Sequence, residues 1–443
     1  MEKKFYIKTF GCQMNVYDSN RIIDLIKSLG YSETKNHKES QCYILNTCHI
    51  REKASEKVYH EIGRVKKDFR GKNKPILIIS GCVAQAEGEI ILKKENYVDA
   101  VIGPQSYHKI PQIIKDIETT KIKRELTEFD TIEKFDILKK FSSTNTKVSS
   151  YLTIQEGCDK FCKFCVVPYT RGPEYSRPFK EILDEAKNLI SKGAKEIILL
   201  GQNVNAYNKE KRKLSNLIYE LNDLKSLKRI RYTTSHPKDM TDDLIRAHGD
   251  CNKLMPMLHL PVQSGSSKIL ESMNRKHNIE QYLDVINKLK DARAGIKFSS
   301  DFIIAYPGET QKDFEMTLKL VKDIKYINSY SFLYSKRPGT PSAELEEVKT
   351  KIAKERLIIF QKLSEEIKKD YKKSLLNKKS KVLIENKSKV KNKFFGRDEY
   401  ANSVIVESSE NMVGNIVDVI ITNFNQNTLF AKLDSSKINN VAA

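Results

Sequence analysis

Apolar and polar positions in the first part of the chain alternate between strand-like and helix-like patterns. Three short apolar segments each end directly before a cysteine, and an amphipathic segment follows each of them. The apolar segments are residues 5–11, 42–47 and 76–81, and the amphipathic ones are residues 18–29, 54–69 and 85–94. This alternation predicts a parallel sheet wrapped by helices.

The middle of the chain repeats the alternation six times. The strand-like segments are residues 150–155, 196–200, 229–234, 257–260, 298–304 and 330–334. The clearest amphipathic segments between them are residues 179–192, 279–292 and 311–322. Six units of this kind predict a partial (β/α)6 barrel of the TIM type, in which the chemistry lies on loops after the strand ends.

The last part of the chain changes to short alternating runs without long helices. The strand-like runs are residues 381–384, 403–406, 415–422 and 428–432, which predict a small β-barrel of oligonucleotide-binding character. Residues 368–393 hold eleven lysines against two acidic residues. Phe394, Phe395 and Arg397 are candidates for stacking on bases and contacting phosphates, or else for a barrel core with a solvated face.

The three patterns together predict an α/β protein with three domains. These are an N-terminal parallel α/β domain over residues 1–141, the partial barrel over residues 144–372 and the small β-barrel over residues 373–443. Residues 118–150 turn charged and then polar, so we interpret them as the connection between the first two domains.

Charge and composition narrow the class of protein. The 443 residues carry a formal net charge of +21, which favours a polyanionic partner such as a nucleic acid. No apolar run is long enough for a membrane span, and the start of the chain lacks an apolar signal region. We therefore expect a cytoplasmic protein without membrane contact, in which metal sites are more common than disulfides.

Cys158, Cys162 and Cys165 lie close together just after the first strand of the predicted barrel. Three thiolates can hold a [4Fe–4S] cluster and leave one iron without a protein ligand. The alternatives are a zinc site or buried structural thiols, but structural zinc sites are closed by four ligands. The C-x₃-C-x₂-C spacing is typical of radical S-adenosylmethionine (SAM) enzymes.

Cys12, Cys48 and Cys82 follow the three strands of the N-terminal sheet. The carboxyl ends of parallel strands meet at one edge, where open α/β sheets bind their ligands. Gly11 and Gly81 directly precede two of these cysteines and allow close approach of a bulky group. The three residues therefore predict a second metal site, with small core residues as the alternative.

Polar loops follow the strands of the predicted barrel. From these loops we select Gln202, Asn203, Gln263 and Ser264 as candidate ligands of an amino-acid-like cofactor. No single loop is specific evidence for a cofactor site. The prediction rests on the fact that all these polar loops follow strand ends. We assign no role to His236.

These motifs resemble those of the methylthiotransferase family of radical SAM enzymes over nearly the whole chain. The matching segments are residues 9–15, 46–54, 81–85, 165–172, 200–207 and 259–266. The resemblance implies that Cys12, Cys48 and Cys82 bind an auxiliary [4Fe–4S] cluster. It also implies that Cys158, Cys162 and Cys165 bind a second cluster, at which SAM is cleaved. The last domain is similar to the TRAM module, although Asp398 stands where the family usually has threonine.

The resemblance implies methylthiolation of C2 of N6-isopentenyladenosine at tRNA position 37, in the anticodon loop. The implied partners are tRNA, SAM and a low-potential electron donor, and we take a monomer as the working expectation. Within the class, the alternatives are methylthiolation of threonylcarbamoyladenosine in tRNA or of a ribosomal-protein aspartate. An alternative of a different class is a non-catalytic iron–sulfur protein that binds RNA.

Overall fold

The computed structural model describes residues 2–48, 54–120, 122–141, 144 and 146–434. Its N-terminal part is a six-stranded parallel sheet with the strand order β2-β1-β3-β4-β5-β6. The strands are β1 (Lys4–Thr9), β2 (Ser32–Glu33), β3 (Cys42–Thr47), β4 (Ile76–Gly81), β5 (Ala100–Ile102) and β6 (Arg124–Leu126). The helices are α1 (Gln13–Lys27), α2 (Ala54–Asp68), α3 (Cys82–Lys94), α4 (Ile110–Thr120) and α5 (Thr131–Leu138).

The central strands of this sheet are mostly apolar and are buried along nearly their whole length, because helices cover both faces. Every residue of β3 is buried, as is nearly every residue of β4. Side chains alternate between two separate cores: Ile44 and Ile78 belong to one, and Leu45 and Ile79 to the other. The predicted parallel α/β fold is confirmed.

The polar connection contains more structure than its composition indicates. Strand β6 and helix α5 both lie within residues 118–150, and β6 is the edge strand of the N-terminal sheet. Helix α5 begins with the Asp130 carboxylate accepting a hydrogen bond from the backbone N–H of Glu133. Phe135 and Leu138 of α5 pack into the core of the sheet. Much of this segment therefore belongs to the N-terminal fold.

Six parallel strands form the middle of the molecule, in two groups of three. One group has the order β13-β10-β7 and the other β14-β15-β16. Their bounds are β7 (Ser149–Thr153), β10 (Glu196–Leu200), β13 (Arg229–Tyr232), β14 (Met257–His259), β15 (Lys297–Ile304) and β16 (Asn328–Leu333). A parallel bridge between Ile230 and Leu254 continues the first group towards the second. The predicted partial barrel is confirmed.

Helices and two short antiparallel strand pairs complete the barrel. The helices are α6 (Val167–Arg171), α7 (Phe179–Ser191), α8 (Leu214–Asp223), α9 (Asp242–Asp250), α10 (Ser267–Ser272), α11 (Ile279–Ala292), α12 (Gln311–Ile324) and α13 (Thr350–Ser374). The short strands pair as β8 (Gln155–Glu156) with β9 (Tyr175–Ser176) and as β11 (Asn208–Lys209) with β12 (Arg212–Lys213). One large apolar core joins these helices to the six strands. None of the described helices is long and apolar enough to cross a membrane.

The last five strands form a closed barrel with the order β17-β18-β19-β21-β20. They are β17 (Lys379–Lys387), β18 (Lys393–Arg397), β19 (Ser403–Glu407), β20 (Ile416–Phe424) and β21 (Thr428–Leu433). Phe394 lies in the core of this barrel, so the interpretation of Phe394 as a base-stacking residue is wrong. Phe395 is partly exposed, and the Arg397 guanidinium lies 5.4 Å from the centre of its ring.

Two buried arginines fix the small barrel against the large one. Arg229 of β13 donates hydrogen bonds to the carbonyl oxygens of Lys381, Arg397 and Asp398. Arg231 of the same strand donates to the carbonyl oxygen of Asp398 at 2.8 Å. The Asp398 carboxylate in turn accepts backbone N–H groups of its own turn and is buried. Asp398 therefore has a structural role at this interface.

We expect the stability of the barrel to depend on pH through His248. This histidine of α9 is buried and its Nε2 lies 2.6 Å from the Tyr232 hydroxyl. Burial lowers the pKa of His248 to about 3. Below about pH 6.5 the unfolded chain gains a proton there that the folded chain does not bind. The free energy of unfolding then falls by about 1.4 kcal/mol per pH unit, down to about pH 3.

Denaturant titrations at pH 7.5 and 5.5 of the wild type and His248→Gln check this expectation, because glutamine still accepts the Tyr232 hydroxyl. The variant should lose about 1.4 kcal/mol less than the wild type between the two pH values. Equal losses in both proteins would contradict the assignment.

Candidate active site

Three cysteines meet at the carboxyl edge of the N-terminal sheet. Cys12 follows β1, Cys48 follows β3, and Cys82 is the first residue of α3, directly after β4. Because β1, β3 and β4 are adjacent and parallel, their ends lie side by side. We call Cys12, Cys48 and Cys82 the N-terminal triad. Residues 49–53, which belong to the sequence motif around Cys48, lie outside the described residues.

Two glycines allow the backbones around the N-terminal triad to pack closely. Gly11 has φ = +108°, and a Cβ atom there would lie 2.8 Å from the Cys48 Sγ. Gly81 has φ = +92°, and its Cβ would lie 2.2 Å from the carbonyl oxygen of Thr47. Any larger residue at either position would displace the loop that carries Cys48.

The sulfur atoms of this triad interact with one another and with a buried arginine. A hydrogen bond from the Cys48 thiol lowers the pKa of Cys12 to about 5, and the positive charge of Arg171 acts in the same direction. Burial raises the pKa of Cys82, while the positive charge of Arg171 opposes the shift. The structure therefore brings all three predicted cysteines together beside one guanidinium group.

The other three predicted cysteines lie in the loop after β8. A backbone hydrogen bond of 2.9 Å from Cys165 N to the Cys162 carbonyl turns this loop back on itself. Burial raises the pKa of Cys158 to about 11 and that of Cys165 to about 12, and the charge of Cys162 contributes to both shifts. Arg275 donates to the Cys162 Sγ across 3.5 Å. We call Cys158, Cys162 and Cys165 the barrel triad.

In neither triad do the three sulfur atoms all lie within 4.8 Å of one another. A zinc ion with bonds of about 2.3 Å brings its thiolate ligands within about 4 Å of one another. Within the described ranges, only the ligand atoms of His108, Asp130 and Glu133 lie within 4.8 Å as a group of three. The Lys109 ammonium lies 3.3 Å from Glu133, so that group carries its own cation. Both cysteine triads instead suit a larger inorganic group.

The four residues selected as cofactor ligands lie on loops after β10 and β14. They differ in how far their hydrogen-bonding groups are already paired within the protein. The Gln202 side chain accepts a hydrogen bond from Gly157 N, next to Cys158. Asn203 donates to Asp239, and its Oδ1 is buried without a partner. The Gln263 backbone bridges to β15. The Ser264 hydroxyl points to the Thr317 hydroxyl, 3.4 Å away.

The loops that follow the barrel strands, which we call the barrel rim, contain strained backbone and polar atoms without hydrogen-bond partners. Thr234, Gln263 and Ala305 have φ between +59° and +79°, and each lies just beyond a barrel strand. Residues held in this region of φ cluster at ligand sites. Ser235 Oγ and His236 Nε2 are buried without hydrogen-bond partners in the loop after β13. This rim therefore offers polar atoms to a bound molecule.

A buried network of four charges connects the two triads, and sequence reasoning missed it. Lys134 of α5 donates to Glu156 at 2.5 Å, and Arg171 lies 3.7 Å from the other oxygen of Glu156. Arg171 also donates to Asp18 at 2.9 Å. Burial raises the pKa of Asp18 to about 6 although Arg171 opposes the shift. Glu156 closely precedes Cys158, so the network reaches from one triad to the other.

One signal for this network is present in the sequence. Arg171 is the next-to-last residue of the segment 165–172 that carries the family resemblance, and Glu156 directly precedes Gly157 and Cys158. Their separation from Asp18 and Lys134 along the chain hides the contacts. Only the folded chain shows that these charges pair.

Three family models match successive parts of the chain. Residues 4–103 match the Uncharacterized protein family UPF0004, residues 152–321 match the Radical SAM superfamily, and residues 373–433 match the TRAM domain. The first two matches each contain one cysteine triad.

Relatives similar over their full length decide the family. A tRNA-2-methylthio-N(6)-dimethylallyladenosine synthase of Pelagibacter ubique is 58% identical over 100% of both chains. The chain belongs to the tRNA-2-methylthio-N(6)-dimethylallyladenosine synthase family. Synthases of this family from Rickettsia typhi and Roseobacter denitrificans are each 48% identical, over 98% and 97% of this chain and 100% and 98% of theirs.

Solved structures share the fold of this synthase family at low sequence identity. The radical SAM methyltransferase TsrM from Kitasatospora setae aligns with a TM-score of 0.56 and 12% identity, covering 77% of each chain. The cobalamin-dependent radical SAM enzyme OxsB aligns with a TM-score of 0.51 and 11% identity, covering 82% of this chain and 56% of that one. These likenesses concern the fold alone.

Proposed function

We propose that the chain adds a methylthio group to C2 of N6-dimethylallyladenosine, also called isopentenyladenosine, at position 37 of tRNA. The main observation behind this proposal is that both cysteine triads lie near one buried network of charges. The chain that contains them belongs to the tRNA-2-methylthio-N(6)-dimethylallyladenosine synthase family. Two triads suit a reaction that joins two activities, hydrogen abstraction and sulfur insertion.

The barrel triad would hold a [4Fe–4S] cluster with one iron open to SAM, and the N-terminal triad would hold a second one. Three thiolates are a donor set for such a cluster. When bound, these groups supply the radical chemistry that an unreactive aromatic C–H bond requires. Their thiolates carry negative charge, which the buried Arg171 and Arg275 partly balance.

The side chains of the barrel rim would orient SAM. The polar amino and carboxylate groups of SAM need donors and acceptors inside a mostly closed pocket. Asn203 Oδ1, Ser235 Oγ and His236 Nε2 are buried and unpartnered there. Gln202 supports the site indirectly, because its hydrogen bond to Gly157 holds the start of the cysteine loop. Ser264 supports the loop after β14 through Thr317.

The small barrel would contribute to tRNA binding. Arg229 and Arg231 hold it on the large barrel, so both act as one surface. The chain's net charge of +21 supports attraction of the anionic tRNA. A low-potential electron donor is the remaining partner, and the chain is taken to act as a monomer.

Nucleoside analysis of tRNA from a deletion strain tests this function. We expect 2-methylthio-N6-isopentenyladenosine to disappear and to return when the gene is restored, but not when it carries Cys158→Ala. The unmodified N6-isopentenyladenosine should accumulate. An unchanged level of the methylthiolated nucleoside would overturn the proposal.

The same strain separates the alternatives. Loss of 2-methylthio-threonylcarbamoyladenosine would favour the first alternative, and loss of a methylthiolated ribosomal-protein aspartate the second. In vitro, about eight irons after anaerobic reconstitution without formation of 5′-deoxyadenosine from SAM and dithionite would favour a non-catalytic RNA-binding protein.

A further inference from the structure

Two aromatic rings in and just after the loop of the barrel triad are exposed, whereas burial is the ordinary state of such side chains. Phe161 is 52% exposed and Tyr169 is 47% exposed. Their ring centres are 6.4 Å apart and the ring planes meet at 81°. Edge-to-face contact of this kind holds the two rings in a fixed relation while leaving ring faces open to solvent.

The backbone presents the Phe161 ring at the cost of strain. Its φ of +48° lies in the left-handed region, which a bulky residue rarely adopts. Asn274 donates to the Phe161 carbonyl at 2.9 Å, and Lys163 N donates to the Met273 carbonyl at 3.0 Å. The residues after α10 therefore pin the loop in this conformation. Strain that the surroundings hold in place marks functional positions.

The position of the two rings connects them to both triads. Phe161 directly precedes Cys162 of the barrel triad. Tyr169 lies in α6, and the same helix ends at Arg171, which donates to the Asn15 Oδ1 at 3.0 Å. The Cys12 thiol of the N-terminal triad faces the same oxygen atom. A third exposed ring, Phe129, packs against Gly172, the residue that follows α6. Phe161 thus lies beside the barrel triad, and Tyr169 lies on the helix whose last residue, Arg171, contacts the N-terminal domain.

We propose that Phe161 and Tyr169 form a stacking platform for an unpaired base of the RNA substrate. This inference rests on the proposed function and adds a binding site to it. Unpaired bases bind proteins by stacking on exposed aromatic rings with basic residues nearby. Lys163, two residues after Phe161, is exposed, while the Lys160 ammonium is paired with Asp239 at 2.8 Å. An aspartate side chain has no aromatic ring to stack on these two, so the platform favours a nucleic-acid substrate over a protein one.

Fluorescence titration with an anticodon stem–loop RNA carrying 2-aminopurine in its loop tests the platform. The full-length protein, reconstituted anaerobically, should quench the probe because 2-aminopurine loses fluorescence when it stacks. Phe161→Ala/Tyr169→Ala should raise the Kd by about 5- to 150-fold and abolish the quenching. Phe161→Tyr/Tyr169→Phe keeps both rings and should preserve the quenching.

A matched control is Tyr219→Ala, which removes an exposed tyrosine of α8 outside both triads. It should bind and quench like the wild type. A wild-type Kd and full quenching in the double alanine variant would overturn the platform. So would weaker SAM binding in that variant with unchanged RNA affinity, since the rings would then serve the cofactor. Failure of the proposed function differs from both, because the wild type itself would then form no methylthiolated product.

Discussion

The Cys48→Ala variant should cleave SAM but form almost no methylthiolated nucleoside. Cys48 belongs to the N-terminal triad, while the barrel triad lies in a separate loop and keeps its three sulfur atoms. Iron content should fall from about eight to about four per chain. Product should fall more than about 100-fold, since even the loss of an outer partner of a metal ligand costs 10- to 100-fold. Iron analysis and mass spectrometry of tRNA digests measure both effects.

Cys42→Ala is the matched control for this variant. Cys42 lies in the same strand that leads to Cys48, but it is fully buried in the apolar core. The control should keep about eight irons and wild-type product formation. Retained product in Cys48→Ala would count against a sulfur-supplying role of the N-terminal triad.

The Lys134→Met variant should lose about 3–5 kcal/mol of stability, because it leaves the Glu156 carboxylate buried without its closest cation. Neither side chain of this pair is exposed, and the ammonium also donates to Gln105. Burial lowers the pKa of Lys134, and the negative charge of Glu156 opposes that shift. The melting temperature of the N-terminal domain, to which α5 belongs, should fall by roughly 6–20 °C. Differential scanning calorimetry measures this shift.

Two further variants test whether the lost stability comes from the unpaired Glu156 charge. Lys134→Met/Glu156→Gln removes both charges and should recover most of the lost stability. Lys139→Met, which changes an exposed lysine beside the end of α5, should stay within about 0.5 kcal/mol of the wild type. A Lys134→Met protein as stable as Lys139→Met would show that the buried pair contributes little.

The main elements of the fold could be predicted because their patterns are local. Residues 196–200 were predicted as a strand and are β10 as observed, since a strand buried on both faces is mostly apolar, here in four of its five residues. Residues 118–150 were harder, because β6 is a short, half-buried edge strand that adds little apolar sequence. Phe394 was misinterpreted because a barrel residue beside lysines has the same composition as a nucleic-acid contact.

The candidate site was predictable only in part. Cys158, Cys162 and Cys165 can be recognised from their spacing within one short segment. The other site residues lie in separate segments and lack such a local signal. Arg171 and Asp18 are far apart in sequence, and each alone resembles an ordinary surface charge. The exposed ring of Phe161 is equally invisible, because the sequence does not state which aromatic side chains the core leaves out.

By itself, the sequence determined the main strands and helices, the positions of both sets of cysteines and the family to which they point. Those features depend on neighbours along the chain, where periodicity and spacing act directly. Only the tertiary structure decided that Lys134, Glu156, Arg171 and Asp18 form one buried network, and that Phe161 and Tyr169 stay in solvent. The physical reason is that burial and charge pairing depend on contacts between distant segments, which exist only once the sheet and the barrel have packed together.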